Sequence, residues 1–181
     1  MNRQPTLEGE RLLLRPLRAD DWDTLYAVAS DPLVWDQHPE SERWREPAFA
    51  EYFASLLNRG GSLAVIDKIG GTLIGTSRFQ YGSREDGGTI EIGSTFLARS
   101  HWGGSVNREM KRLMVAHALQ SVARVEFWVG QANLRSRRAL DKIGARLVDR
   151  VEPVEIAGRQ MPHAVYAISR EDFAAGPLQG A

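Results

Sequence analysis

The stretch Glu91-Ile92-Gly93-Ser94-Thr95-Phe96-Leu97-Ala98-Arg99-Ser100-His101-Trp102-Gly103-Gly104-Ser105-Val106-Asn107-Arg108-Glu109 decides the reading of this chain. Residues 89–97 read as a strand. From Val106 the period becomes helical, with Met110, Leu113, Met114 and His117 on one stripe. A strand that passes through small residues into a helix leaves several backbone N–H groups unpaired, with the positive end of the helix dipole behind them. Such a turn suits a phosphate or pyrophosphate. Gly103-Gly104 also suits an ordinary tight turn, so two readings stand at this level. A dinucleotide fingerprint fits less well, because GxGxxG is absent and no acidic residue ends a second strand of a βαβ repeat.

Toward the N-terminus, Leu12 to Leu14 with Arg15 and Pro16 make a short strand. Asp20 is placed to cap a helix carrying Trp22, Leu25, Tyr26 and Ala29 at helical spacing, which Asp31-Pro32 stops. A second helix follows Pro47, with Phe49, Phe53, Leu56 and Leu57 on one face. Residues 62–67 and 72–80 flank Lys68-Ile69-Gly70-Gly71 as a hairpin, and a turn-rich segment at 83–88 precedes the deciding strand. Toward the C-terminus, Val125, Phe127 and Val129 alternate as a strand. A helix at 134–143 then ends at Gly144, and two strands close the chain near 147–151 and 164–168. Strands first and an α/β crossover afterwards predict a mixed α/β fold, with helices covering a largely antiparallel sheet.

The 181 residues are 43% hydrophobic, which suits one globular domain over 1–181. Lys plus Arg and Asp plus Glu each number 23, so no charge excess points to nucleic acid or to a membrane surface as partner. There are no cysteines, hence no disulfide, thiolate metal site or cysteine nucleophile. The opening residues lack a long apolar run, and a cytoplasmic location is expected. His38, His101 and His163 read as loop or turn residues without metal-ligand spacing, His117 reads as a packed core histidine, and no metal is expected. Trp128, near an edge strand at Val125, is a candidate homodimer contact.

Three segments in order carry a family resemblance: LLLRPLRADDWDTLYAVASDP, EIGSTFLARSHWGGSVNREMKRLM and VEFWVGQANLRSRRALDKIGA. Together they resemble the GNAT superfamily of N-acetyltransferases, and especially its ribosomal-protein N-terminal (RimJ/RimL-type) branch, over roughly residues 7–172. The most specific element is Asn133-x-x-Ser136 followed by Ile143-Gly144-Ala145. The resemblance implies a parallel strand pair at a cofactor site, acetyl-CoA as cosubstrate and a primary amine, such as a protein N-terminus, as acceptor. A noncatalytic acyl-CoA-binding module is the alternative. In the cofactor turn Trp102 takes the family's first position and Gly103 its second, while Ser105 and Asn107 stand where the family has small residues.

Further expectations follow from the resemblance. Main-chain groups near Phe96 and Leu97 would hold the acetyl-pantetheine arm, and amides of Gly103, Gly104, Ser105, Val106, Asn107 and Arg108 the pyrophosphate. Arg99, Arg108, Lys111, Arg112 and Arg138 are candidate phosphate contacts. Asn133 matches a residue that contacts the arm, and also reads as an N-cap. Ser136 aligns with a serine that protonates the departing thiolate, and also reads as a first-turn helix residue. From the residues alone, Glu91 lies on the strand face opposite Ile90 and Ile92. It is a candidate general base or a cross-strand surface carboxylate. The loop at 34–44 occupies the place where relatives build the acceptor site, which makes Trp35 and His38 candidate substrate contacts; Trp35 and Trp44 also read as helix packing.

Overall fold

The computed structural model describes residues 1–81, 88–156 and 158–179. The segment expected as a turn at 83–88 lies, apart from Gly88, outside them. The strands are β1 (Leu7–Glu8), β2 (Leu12–Pro16), β3 (Ser62–Asp67), β4 (Thr72–Tyr81), β5 (Thr89–Leu97), β6 (Arg124–Gly130), β7 (Arg146–Ile156) and β8 (Arg159–Ser169). The helices are α1 (Trp22–Ala29), α2 (Glu46–Asn58), α3 (Val106–Leu119), α4 (Leu134–Lys142) and α5 (Arg170–Ala175). One sheet runs β1-β2-β3-β4-β5-β6-β8-β7. Every neighbouring pair is antiparallel except β5 and β6, which run parallel because α3 carries the chain across between them.

Two apolar layers cover the sheet. On one face, α3 and α4 bury Val106, Met110, Met114 and Leu140 against Leu12, Leu14, Phe79, Ile90, Ile92, Val125 and Phe127. On the other, α1 and α2 bury Leu25, Phe49, Phe53 and Leu56 against Ala64, Leu73 and Phe96. Phe49 centres a group of rings, with Trp22 at 5.4 Å, Tyr26 at 5.5 Å and Phe96 at 6.3 Å between centroids.

Several expectations need correction. The residue at the start of α1 is Asp21 rather than Asp20, and its side chain turns back from the helix instead of capping it. Its carboxylate accepts from the Arg18 amide at 2.8 Å and pairs with Arg15 at 2.6 Å, which holds it ionised below the ordinary carboxylate range. The two closing strands are longer than expected, since Pro153 and Pro162 sit opposite each other in register. Prolines read as terminators in sequence, yet here two residues that lack N–H face one another and cost the ladder little. The strand holding Trp128 lies between β5 and β8 in the sheet order rather than at its margin, where β1 and β7 stand. His163 lies buried within β8 rather than in a loop. His117 is half-buried at the rim, with Nε2 2.7 Å from the Asn2 carbonyl oxygen, because the buried stripe of α3 runs through Met110, Lys111, Met114, Val115 and Ala118 instead.

A bulge sets the faces of β5. Between the register pairs Arg78↔Gly93 and Thr76↔Phe96, β4 has one residue and β5 has two, Ser94 and Thr95, and Ser94 takes φ +48°. The extra residue inverts the alternation that follows. Phe96 therefore packs on the α1/α2 side although Ile90 and Ile92 pack on the α3 side.

Truncating Phe49 to alanine should cost about 3–5 kcal/mol, because a fully buried ring is lost from both helices and the sheet. Ile69→Ala, at an 81% exposed position, should change stability by less than about 0.5 kcal/mol. Urea unfolding of the two variants measures the contrast.

Candidate active site

Beyond three register pairs, ending at Glu91↔Glu126, β5 and β6 part: β5 continues along β4, and β6 along β8. The Ala98 amide bonds back to Ile74 O at 2.8 Å, so by alternation the N–H and C=O of Leu97 face the split. The Trp102 indole N–H donates to that carbonyl at 2.9 Å, and the Arg135 guanidinium lies 4.3 Å over the indole. Arg135 is tied in turn to Asp36 at 2.6 Å and to Val34 O at 2.9 Å. The turn before α3, the start of α4 and the loop after α1 are thereby joined around the open strand ends.

At the head of α3, the first amide bonded back into the turn is that of Glu109, to Ser105 O at 2.8 Å. Among the described residues, the amides from Gly103 to Arg108 donate to no backbone carbonyl. Gly103 has φ +74°, a conformation that favours glycine, and a Cβ on Gly103 or Gly104 would meet no atom within 4 Å. Ser105 gives no side-chain cap. The result is a row of open donors with free space in front of it, which fits a pyrophosphate.

The cationic candidates divide. Arg138 is exposed; Arg108 donates to the Pro177 carbonyl, and Arg99 pairs with Asp31 beside α1. Arg112 is half-buried. Lys111 points away from the turn into the sheet and is 5% exposed. Asn133 caps α4, its Oδ1 accepting from the Ser136 amide at 3.1 Å. Ser136 is half-buried in the first turn, and its hydroxyl takes no hydrogen bond among the described residues.

On the α1/α2 side of the last parallel pair stands Glu91, accepting from Gln80 Nε2 at 3.0 Å. Burial, opposed by Arg78 and reinforced by the neighbouring Glu126, raises its pKa to about 7. Glu126 is fully buried, yet it is held by Arg150 at 2.6 Å and Arg124 at 2.9 Å and accepts from Trp128 Nε1 at 3.1 Å. Two carboxylates thus sit side by side, one satisfied by cations and the other left with an amide.

In the loop at 34–44, Trp35 is 2% exposed and donates to Ala29 O at 2.7 Å, with its ring against Phe96, Tyr52 and His38. It supports the loop from beneath and offers no open stacking face. His38 accepts from the Glu40 amide at 3.0 Å, and burial with the nearby Arg43 and His163 pushes its pKa down to about 3, so it is neutral near pH 7. Tyr52, whose hydroxyl donates to Ser94 O at 3.3 Å, lies under the Arg43 guanidinium at 3.9 Å. Tyr52, Arg43, Gln80, Glu126 and Arg150 were not singled out from sequence. Lys111 carried one legible signal, a charge on the buried stripe of a helix.

With this geometry established, the comparisons with known proteins are specific. The Acetyltransferase (GNAT) domain family matches residues 11–146, and the chain belongs to that family. Similar solved structures include an acetyltransferase (GNAT family) from Bacillus anthracis, 22% identical with TM-score 0.74, covering 92% of this chain and 99% of that one. A GCN5-related N-acetyltransferase from Brucella melitensis is 23% identical with TM-score 0.77, covering 98% and 83%. RimJ of Mycobacterium smegmatis, in complex with CoA-disulfide, is 19% identical with TM-score 0.68, covering 93% and 86%. No curated protein matches the chain. These likenesses establish the fold: a mixed sheet, largely antiparallel, with one parallel pair and helices on both faces.

Because Glu91 titrates higher in the folded chain than its ordinary 4.5, its ionisation opposes folding. That cost is absent below about pH 4.5, grows through about pH 7 and is complete above it. Glu91→Gln should therefore raise Tm by about 2–5 °C at pH 8 and leave it unchanged at pH 4. Thermal unfolding at the two pH values measures this, and an equal effect at both would contradict it.

Proposed function

We propose that the chain transfers the acetyl group of acetyl-CoA to a primary amine, and that its preferred acceptor is an α-amino group, as in the RimJ/RimL-type branch. One observation carries the reading: the row of open amides from Gly103 to Arg108 adjoins a split between parallel strands with a carboxylate at its root. The likeness to a RimJ crystallised with CoA-disulfide supports it.

Acetyl-CoA supplies the activated acetyl group when bound; the remaining work falls to the chain. Amides of Gly103 to Arg108 bind the pyrophosphate, with Arg138 free to add charge. The Leu97 N–H and the backbone near Phe96 hold the arm in the split, beside Asn133. Ser136 Oγ–H points a hydrogen bond at the departing sulfur. Glu91 accepts the proton of the attacking amine, a role that a carboxylate titrating near 7 performs well at neutral pH. His38, neutral and resting on Trp35, lines the acceptor side with Tyr52.

Amine basicity favours the α-amine. It titrates at about 7.7–8.0 against roughly 10.4 for lysine, so at neutral pH a lysine acceptor costs about 3.4 kcal/mol more to deprotonate. A single carboxylate base offsets little of that difference.

Acetyl-CoA should raise Tm by several degrees where NAD and ATP do not, and equal shifts from all three would sink the reading. Gly104→Val should weaken acetyl-CoA binding by about tenfold or more at unchanged stability of the free protein, since the new side chain enters space that only the ligand uses. In turnover assays with a peptide N-terminus, Ser136→Ala should lower kcat by about 10²-fold at constant acetyl-CoA affinity. A full-rate alanine variant would return Ser136 to a purely helical role.

A further inference from the structure

Lys111 is the one cation on the buried face of α3 among the described residues. Its Nζ donates to Thr95 Oγ1 at 2.9 Å, reaches Ser77 Oγ at 3.5 Å and stands 5.4 Å from the centroid of the Phe127 ring. Thr95 belongs to β5, while Phe127 is the first residue of β6 past the last parallel pair, so the ammonium lies under the split itself. The bulge at Ser94 directs Thr95 there, and Thr95 is exposed toward the open strand ends. Among the described residues Lys111 forms no ion pair. Two of its three donors go to hydroxyls and the third has no acceptor. A buried ammonium without a counter-charge is costly unless a ligand provides one.

We propose that Lys111 is the counter-charge and proton donor for the sulfur that leaves the acetyl group in this split. The assignment rests on the acetyl-transfer reading above. The acceptor nitrogen bonds to the acetyl carbon, and the carbon–sulfur bond breaks with its electron pair on sulfur. The amine proton goes to Glu91, and a Lys111 proton goes to sulfur. Glu91 then loses its proton to solvent and Lys111 regains one from solvent, so the net transfer is from amine to thiol.

The groups facing Lys111 match the task. They are Ser77 from β4, Thr95 from β5 and Phe127 from β6; burial lowers the lysine to about 7, with Glu91, on the opposite face of the sheet, opposing the shift through its charge. A thiol ordinarily titrates at about 8.5, so proton transfer from this ammonium to sulfur runs downhill. A serine hydroxyl does not ionise in this range. Ser136 orients the sulfur, while Lys111 neutralises it.

The chain has three lysines, Lys68, Lys111 and Lys142, so Cε-labelled lysine gives three NMR signals. Lys68→Arg and Lys142→Arg assign Lys111 by elimination, without touching it. Adding coenzyme A should raise the Lys111 titration by about one unit or more. The bound thiol, followed by thiolate absorbance, should be about tenfold more acidic in the wild type than in Lys111→Met, whose buried apolar side chain keeps the packing. In turnover, Lys111→Met should lose at least about tenfold in kcat, together with the fall in rate above neutral pH, at similar acetyl-CoA affinity. Coenzyme A binding with an unmoved Lys111 signal and equal thiol acidity in both proteins overturns this assignment alone. Absence of coenzyme A binding to the wild type overturns the acetyl-transfer reading and this assignment with it.

Discussion

Past Glu91 and Glu126, β5 and β6 each keep a hydrogen-bonded neighbour on one side and none on the other. Backbone donors and acceptors in the middle of a sheet cannot stay without partners for long, and this constraint organises the rest of the molecule. The α3 crossover has to span the gap, which puts the N-terminus of a helix at the open end of the split. The helix start contributes further unpaired amides from Gly103 to Arg108. Trp102 covers one exposed carbonyl at Leu97 and is itself clamped by Arg135. Each of these features is a response to unpaired backbone, and together they set a row of donors at the open end of the split.

The charges around the split follow from the same geometry. A position at the root of two parting strands is partly withdrawn from water, so an ionised group there needs either a partner or a shifted proton equilibrium. Glu126 takes the first course, with Arg124 and Arg150 on its oxygens. Glu91 and Lys111 take the second, one raised and the other lowered to about 7. One residue along either element lies apolar core, with Ile90 and Ile92 beside Glu91 and Met110 beside Lys111, so the two charged groups are confined to the positions that border the split. The bulge at Ser94 is what keeps Thr95 on the Lys111 side while Phe96 completes the opposite core.

Much of this was legible in the sequence, because period and punctuation are local. The alternation of Val125, Phe127 and Val129, the Pro47 start of α2 and the Gly144 stop of α4 all appear as read. What escaped depends on register. Gly93 marks an irregularity in the strand without showing which way the faces turn after it, and nothing local reveals that Pro153 would meet Pro162 across a ladder. Asp21 and Asp20 are equivalent on paper; Arg15 decides between them by pairing with one. In the site, the open-amide turn before α3 and the face of Glu91 came from local pattern. The burial of Trp35, the neutrality of His38 and the partners of Lys111 arise where separate elements meet.

The departures at Ser105 and Asn107 put side chains where glycine or alanine would let backbone approach an anion most closely. In this turn the demand for glycine is concentrated elsewhere. Gly103 alone within it adopts positive φ, whereas Ser105 has φ −75° and ψ −17°, an ordinary helical conformation open to any residue. The Ser105 side chain is exposed and makes no bond to the helix start, so it takes no amide out of the row. Amide direction is set by backbone torsions rather than by the Cβ, and those torsions lead into a regular helix from Val106. The two substitutions therefore leave the donor row intact and add a hydroxyl and a carboxamide at its margin, groups that can themselves donate to an anion.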